Sequence, residues 1–289
     1  MNTILVLGAT GLLGEPVARR LKEDGFNVRI LARDAEKAQS VFGDGFEIAE
    51  GDATRREDID RVLAGCDGVH LTLSGEAERI GAERVAEAAQ TCGIERITYI
   101  SGCTAVEQNR WFPMVADKLR AEQAVRESGV SYTIFAPTWP MEMLARYVRD
   151  GKPMVIGRME GPFHFFALED LARMVSASYR MEEAVNKRLV IHGPEGYSFS
   201  DALLRYCAVF HPDVTRVSHM PVWLVKLMAV AMRNDLMKLG ADLGGYFDRV
   251  GELGDPTEAN ELLGAPALTL DEWLARRKAA MRKAALVER

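Results

Sequence analysis

Three glycines, spaced as Gly8-Ala9-Thr10-Gly11-Leu12-Leu13-Gly14, lie between the apolar run Ile4-Leu5-Val6-Leu7 and a stretch of helical pattern. Strand, glycine turn and helix in that order suit the pyrophosphate of a dinucleotide. Gly8 permits a tight turn out of the strand, Gly11 lets backbone N–H groups approach phosphate, and Gly14 lets the helix pack near the sheet. Thr10, Leu12 and Leu13 belong to the same turn and count as cofactor-binding with it. Arg33 follows the next apolar run, where an NAD enzyme carries an acidic residue for the adenosine ribose. A guanidinium there pairs with a 2′-phosphate, so the sequence predicts NADP(H) in preference to NAD(H). Asp34, its neighbour, reads as the N-cap of a helix over Ala35 to Phe42. That role turns its carboxylate toward backbone N–H groups and leaves the phosphate to Arg33.

The ends of the later apolar runs add further groups. Asp52 and Ala53 follow the third run, where the Asp52 carboxylate either accepts the adenine amino group or stabilises the turn. Thr72, Leu73 and Ser74 follow the fourth, where the backbone passes along the adenosine and pyrophosphate. Ser101 ends the fifth, Lys118 lies on the helix after it, and Pro137 closes the sixth. His70 reads as a packed strand residue, since no base partner stands near it in the sequence.

The elements that must hold these groups follow from periodicity. Short β-branched runs at Asn27 to Leu31, Phe46 to Glu50, Gly68 to Leu71, Arg96 to Ile100 and Ser131 to Phe135 alternate with amphipathic stretches. With the first strand they make six strands joined by helical crossovers, an α/β doubly wound parallel Rossmann sheet. Its ligand crevice lies at the carboxyl ends of the strands, where the groups above stand. Thr54 and Glu57 read as a capping box opening the third helix. Beyond Pro137 the chain becomes rich in Met and aromatic residues, and Trp139, Met141 and Phe163, with Trp111, are expected to form an apolar substrate pocket. A helix from about Leu168 to Met181 and a strand from Arg188 to His192 then return to the core. The expected organisation is an NAD(P)-binding domain over 1–152 and a mixed region over 153–289. The latter rejoins the core at about 167–192 and otherwise forms a smaller, mainly helical substrate lobe.

Composition limits the partners. The 289 residues carry 36 basic and 42 acidic side chains, a net charge of −6 that gives no general attraction for nucleic acid or anionic membrane. The start MNTILVLG lacks a basic region and a continuous apolar core, so a cytoplasmic protein without a leader is expected. The longest apolar stretch, Pro221 to Met232, contains Lys226 and falls well short of the roughly 20 residues of a membrane span. It reads as a buried or lid helix. The basic run Arg276-Arg277-Lys278 with Arg282 and Lys283 marks either a partner contact or a complement to the negative end of the last helix. Cys66, Cys92, Cys103 and Cys207 form no CxxC pair, which suggests reduced thiols. No metal site is predicted, because the five histidines show neither HExxH nor clustering with cysteine. Oligomeric state is not legible.

Several of these segments together resemble the NmrA-like family of atypical short-chain dehydrogenase/reductases. They are GATGLLG, Arg33, Gly51-Asp52-Ala53, Tyr99-Ile100-Ser101-Gly102, Lys118 with Glu122, and Tyr132-Thr133-Ile134 with Pro137. Gly193-Pro194-Glu195 and Ser198 to Asp201 extend the likeness over most of the chain. The resemblance implies that Lys118 and the Pro137 segment hold the nicotinamide end and that Lys118 and Ser101 are the catalytic candidates. It also exposes a departure. The superfamily's YxxxK motif puts a proton-donating tyrosine one helical turn before the lysine, and here that position is Met114, with Ala136 replacing the usual arginine before the proline. The implied function is an NADPH-dependent oxidoreductase passing hydride to a small hydrophobic carbonyl, enone or quinone. The alternatives are a non-catalytic NADP(H)-binding sensor acting through a protein partner and an assembly protein docking through Pro221 to Met237.

Overall fold

The computed structural model describes residues 2–287, so residue 1 and residues 288–289 of the expected domain spans lie outside it. Six predicted strands form as β1 (Thr3–Leu7), β2 (Asn27–Ala32), β3 (Glu47–Glu50), β4 (Gly68–Leu71), β5 (Arg96–Ile100) and β6 (Ser131–Pro137). The returning strand, Lys187–Ile191, joins them as a seventh beside β6. The order is Lys187–Ile191, β6, β5, β4, β1, β2, β3, with every pairing parallel. This is the doubly wound α/β sheet that the alternation of strand and helix patterns predicts. The chain reverses its direction of travel across the sheet between β1 and β4, and Leu7 pairs with Leu31 on one side and Leu71 on the other. The glycine turn after β1 therefore leaves the sheet at the topological switch point, where crevices of such folds open.

Helices α1 (Gly14–Glu23), α2 (Ala35–Phe42), α3 (Arg56–Leu63), α4 (Glu76–Ala89) and α5 (Pro113–Glu127) supply the crossovers, and α6 (Leu168–Ser178) precedes the returning strand. Strands buried along their length need covering on both faces, which explains their near-continuous apolar sequences. Leu5, Val69, Ile97 and Ile134 from four strands share one core with Val85 of α4 and Val125 of α5. Asp34 caps α2 as expected, its Oδ1 accepting the Lys37 N–H at 2.9 Å. The capping box of α3 does not form. That helix starts one residue later than the box requires, at Arg56 with Arg55 as an N-cap lacking a side-chain bond, because Asp52 Oδ1 takes both the N–H and the hydroxyl of Thr54 at 2.8 Å.

His70 lies fully buried on β4, its Nδ1 2.7 Å from Thr98 Oγ1, which in turn is 2.8 Å from the Tyr179 hydroxyl. Burial lowers its pKa from 6.5 to about 3, because the charged ring has no counter-ion there. The unfolded chain protonates near 6.5. His70 therefore favours the fold fully above that pH, and its contribution is lost as pH falls toward 3, by at most about 1.4 kcal/mol per pH unit. Urea melts between pH 7 and 4 should show a steeper loss of stability for the native chain than for His70→Leu. Equal slopes would contradict this account.

Two compact units result. One runs through Pro137 and includes Leu168–Ile191 and Asp255–Gly264; the other comprises Thr138–Ala167, His192–Gly254 and the chain from Ala265 onward. The second unit is built around Phe199, whose ring meets Trp139, Tyr147, Phe163 and Phe165 with centroids 4.6 to 6.0 Å apart. Met141 and Phe163, expected to line a substrate pocket, are almost wholly buried members of this core, and Trp139 packs against it. Apolar side chains at loop-rich positions have gone into packing instead of a ligand-facing surface. The apolar stretch near residue 225 also departs from expectation. In the helix Val222–Ala231 only Val225 and Ala229, four residues apart on one face, are buried, while Trp223, Leu227 and Val230 face outward. Among the described residues no helix is long and apolar enough to cross a membrane.

Candidate functional site

The first unit gathers the candidate residues at the carboxyl ends of its strands. Gly8 leaves β1 with φ +84°, and a Cβ there would overlap the Thr72 carbonyl at the end of β4. A Cβ on Gly14 would overlap the Gly8 carbonyl oxygen and press on the Thr72 methyl, so α1 can start this close to the sheet only with glycine at its first position. Gly11 differs. It is exposed, and a Cβ there would meet only Gly8 O, at 3.1 Å. Its missing side chain leaves space outside the turn, in front of a helix N-terminus that has no side-chain cap. An anion fits such a cradle, because uncapped N–H groups and the helix dipole both favour negative charge.

A contrast between two variants follows from this geometry. Gly14→Ala should destabilise the protein by roughly 2–3 kcal/mol through backbone displacement. Gly11→Ala should leave the melting midpoint nearly unchanged and still weaken dinucleotide binding. Urea melts and calorimetric titration with NADPH separate the two effects.

Arg33 stands exposed past the end of β2 and pairs with no carboxylate among the described residues. Asp52, past β3, has its carboxyl held below the usual carboxylate range, chiefly by the Thr54 N–H and hydroxyl and with help from the Arg33 charge. One Asp52 oxygen is thus taken by the turn, and Oδ2 is left for a ligand. Ala53 and Leu73 direct their side chains into the core and have only backbone to offer, whereas Ser74 is exposed. A dinucleotide suits this row of groups: an open turn, a helix N-terminus and a guanidinium that forms no ion pair among the described residues.

The β5–α5 end carries a denser network. Lys118 donates to Glu78 Oε1 at 2.5 Å, and the Tyr99 hydroxyl donates to the same oxygen at 2.8 Å. Glu78 is buried on α4, so these two bonds stand in for its lost hydration. Burial, and then the Glu78 charge, push the Tyr99 phenol well above its ordinary pKa, which keeps it protonated and unsuited to releasing a proton. The Lys118 stem runs beside Gly102, where a Cβ would lie 3.9 Å from Lys118 Cδ and Cε.

Ser101 is not placed as a proton donor. Its Oγ donates to Glu122 Oε1 at 2.6 Å, and Glu122 is paired with Arg188 at 3.1 Å and Arg126 at 3.2 Å. Arg188 further donates to the carbonyls of Gly102 and Ala105, both at 3.0 Å. The serine proton is committed to a buried carboxylate, and Ser101 fixes the loop after β5. Met114 sits one turn before Lys118 on α5, 36 % exposed, on the face where the superfamily's tyrosine stands. Pro137 ends β6 with its carbonyl accepting the Cys103 N–H at 3.0 Å.

Residues 8–155 match the NAD(P)H-binding family. The chain belongs to that family. The match covers the glycine turn, Arg33, Ser101, Lys118 and Pro137, and it agrees with the resemblance to NmrA-like atypical short-chain dehydrogenase/reductases. A (4-alkanoyl-5-oxo-2,5-dihydrofuran-3-yl)methyl phosphate reductase of Streptomyces griseus is 42 % identical over 135 residues, 46 % of each protein. The chain thus spans about half of that reductase. The photosystem II assembly factor Ycf39 of Trieres chinensis is 25 % identical over 78 % of this chain and 75 % of its own. Among solved structures, the NADPH-dependent quinone oxidoreductase QOR2 of Escherichia coli, complexed with NADPH, superposes with a TM-score of 0.76. The two are 19 % identical, over 94 % of this chain and 99 % of that one, a likeness of fold.

Within this family member the residues that sequence reasoning missed are Glu78, Tyr99 and Arg188. Tyr99 stands in the Tyr99 to Gly102 motif with no role assigned to it there, and the other two are distant partners: Glu78 lies 40 positions from Lys118, and Arg188 lies 66 from Glu122. The available signal for Glu78 was a carboxylate on the face of α4 shared with Ala82 and Val85, all three buried.

Proposed function

We propose that the chain is an NADPH-dependent reductase of small hydrophobic electrophiles, with quinones and enones favoured over simple carbonyls. The observation that carries the reading is the row at the strand ends: the open Gly11 turn before an uncapped α1, followed by an exposed Arg33 that forms no ion pair among the described residues. In this reading the N–H groups of Leu12 to Gly14 hold the pyrophosphate, since that of Gly11 is spent on the Gly8 carbonyl, while Arg33 holds the 2′-phosphate and Lys118 the nicotinamide ribose. Asp52 Oδ2 and the backbone of Thr72 to Ser74 border the adenosine. NADPH, when bound, supplies a hydride. The acceptor gains that hydride and one proton, and the proton comes from water.

The electrophile preference follows from the missing acid. Met114 has no proton to give, Ser101 is committed to Glu122, and Tyr99 is buried on Glu78. A quinone develops a stabilised oxyanion and needs little help, whereas a ketone develops an alkoxide and needs an acid in the transition state. Trp111, half exposed before α5, is the aromatic offered to a flat acceptor. Quinone turnover should exceed ketone turnover by at least about 100-fold, the range of a general acid's contribution. Met114→Tyr should narrow that gap by raising ketone turnover. Comparable rates on both classes in the native chain would overturn the assignment.

A second reading has an observation of its own. The outward apolar side chains Trp223, Leu227, Val230 and Leu236, together with similarity to an assembly factor, support an assembly protein that keeps the cofactor as a structural ligand and docks through Pro221 to Met237. NADPH binding without turnover on any acceptor would favour it.

A further inference from the structure

The second unit brings together three side chains that the sequence keeps far apart. His164 ends the strand Phe163–His164, His192 directly follows Lys187–Ile191, and Glu252 lies just beyond the helix Asp235–Val250. Their ligand atoms all fall within 4.8 Å of one another. Glu252 Oε1 faces both imidazoles, 2.6 Å from His164 Nδ1 and 3.3 Å from His192 Nδ1. The rings stack with centroids 5.3 Å apart and planes 15° from parallel, so both Nδ1 atoms approach the carboxylate from one side.

Two of the remaining polar atoms are already held. Glu252 Oε2 accepts the His164 backbone N–H at 2.7 Å, and His192 Nε2 lies 3.4 Å from the Leu253 carbonyl. A carbonyl can only accept, so the neutral tautomer of His192 that donates from Nε2 turns its Nδ1 lone pair toward Glu252 Oε1, where a cation would be held by both atoms. A ring nitrogen anchored on a backbone carbonyl is the usual support of a metal-binding histidine.

We propose that His164, His192 and Glu252 bind a divalent transition-metal ion, with Zn²⁺ as its representative. Two imidazole nitrogens and one carboxylate suit a borderline ion such as Zn²⁺ and not Mg²⁺ or Ca²⁺, which require an oxygen shell. Tetrahedral ligands about 2.0–2.2 Å from zinc stand about 3.3 Å from each other, the spacing His192 Nδ1 and Glu252 Oε1 already have. The His164 contact must lengthen by some tenths of an ångström as its Nδ1 proton leaves. His164 is one-third exposed, which gives the ion an entry path and leaves a coordination position for water. The ion would clip three chain segments of this unit together, independently of the nucleotide site.

The test uses the untagged full chain, stripped with a chelator and titrated calorimetrically with Zn²⁺ alone, with Co²⁺ absorption as a report of coordination. One Zn²⁺ per chain should bind and raise the melting temperature. His192→Ala and Glu252→Gln should each weaken binding at least about tenfold, whereas His219→Ala should not. Glu252→Gln can still accept the His164 N–H, so its metal-free melt verifies folding. Absence of saturable one-to-one binding, or binding unchanged in both variants, would overturn the site.

Discussion

Lys118→Ala is expected to lower stability by about 2–3 kcal/mol as well as to abolish hydride transfer. The ammonium is the only cation bonded to Glu78 among the described residues, and removing it leaves a buried carboxylate supported by the Tyr99 hydroxyl alone. Breaking a fully buried pair from one side costs about 3–5 kcal/mol. Lys118 is itself 20 % exposed, so solvent screens part of that loss. Double replacement with Glu78→Gln should restore much of the stability, since no unpaired charge is left behind, and should not restore activity. Urea melts of the two single variants and the double variant measure the coupling. Additive losses would mean that the 2.5 Å contact does not hold Glu78 in the folded chain.

Arg33→Ala is expected to weaken NADPH binding by about 1.5–3 kcal/mol, the range for a hydrogen bond to a charged group, and to leave NADH within a few fold. The selectivity rests on one geometric fact. Asp34, the only neighbouring anion in sequence, spends its Oδ1 on the Lys37 N–H at the N-cap of α2. Asp34→Ala should accordingly affect the helix more than the nucleotide preference. Parallel calorimetric titrations with both dinucleotides decide the matter, and equal weakening of the two would refute the 2′-phosphate role.

What the sequence could reveal depended on how local the cause was. Strands buried on both faces write mainly apolar and β-branched runs, and β4 and β5 begin and end at the residues the pattern predicts despite His70, Arg96 and Thr98 within them. Asp34 as a cap and Gly8 at a positive φ are equally local, each determined within a few residues. Thr54 shows the limit: its capping box was a sound pattern, but Asp52, two residues earlier, competed for the same donors and won. Apolar side chains at Met141 and Phe163 carried no mark to distinguish a pocket from a core, because hydrophobicity alone serves both. The charged pairs were the least legible. Glu78 with Lys118, Glu122 with Arg188, and the two histidines with Glu252 are joined only by the topology of the chain.

Met114 alters what the glycine turn implies, since the turn supports nucleotide binding and the residue that would complete ordinary carbonyl reduction is absent. The direct test is NADPH oxidation by the native chain across a panel of quinones and enones, with Lys118→Ala as the control and calorimetry confirming that NADPH is bound. The account predicts turnover on at least one acceptor that disappears in the control. Tight NADPH binding with no oxidation above the uncatalysed rate on any acceptor would contradict it.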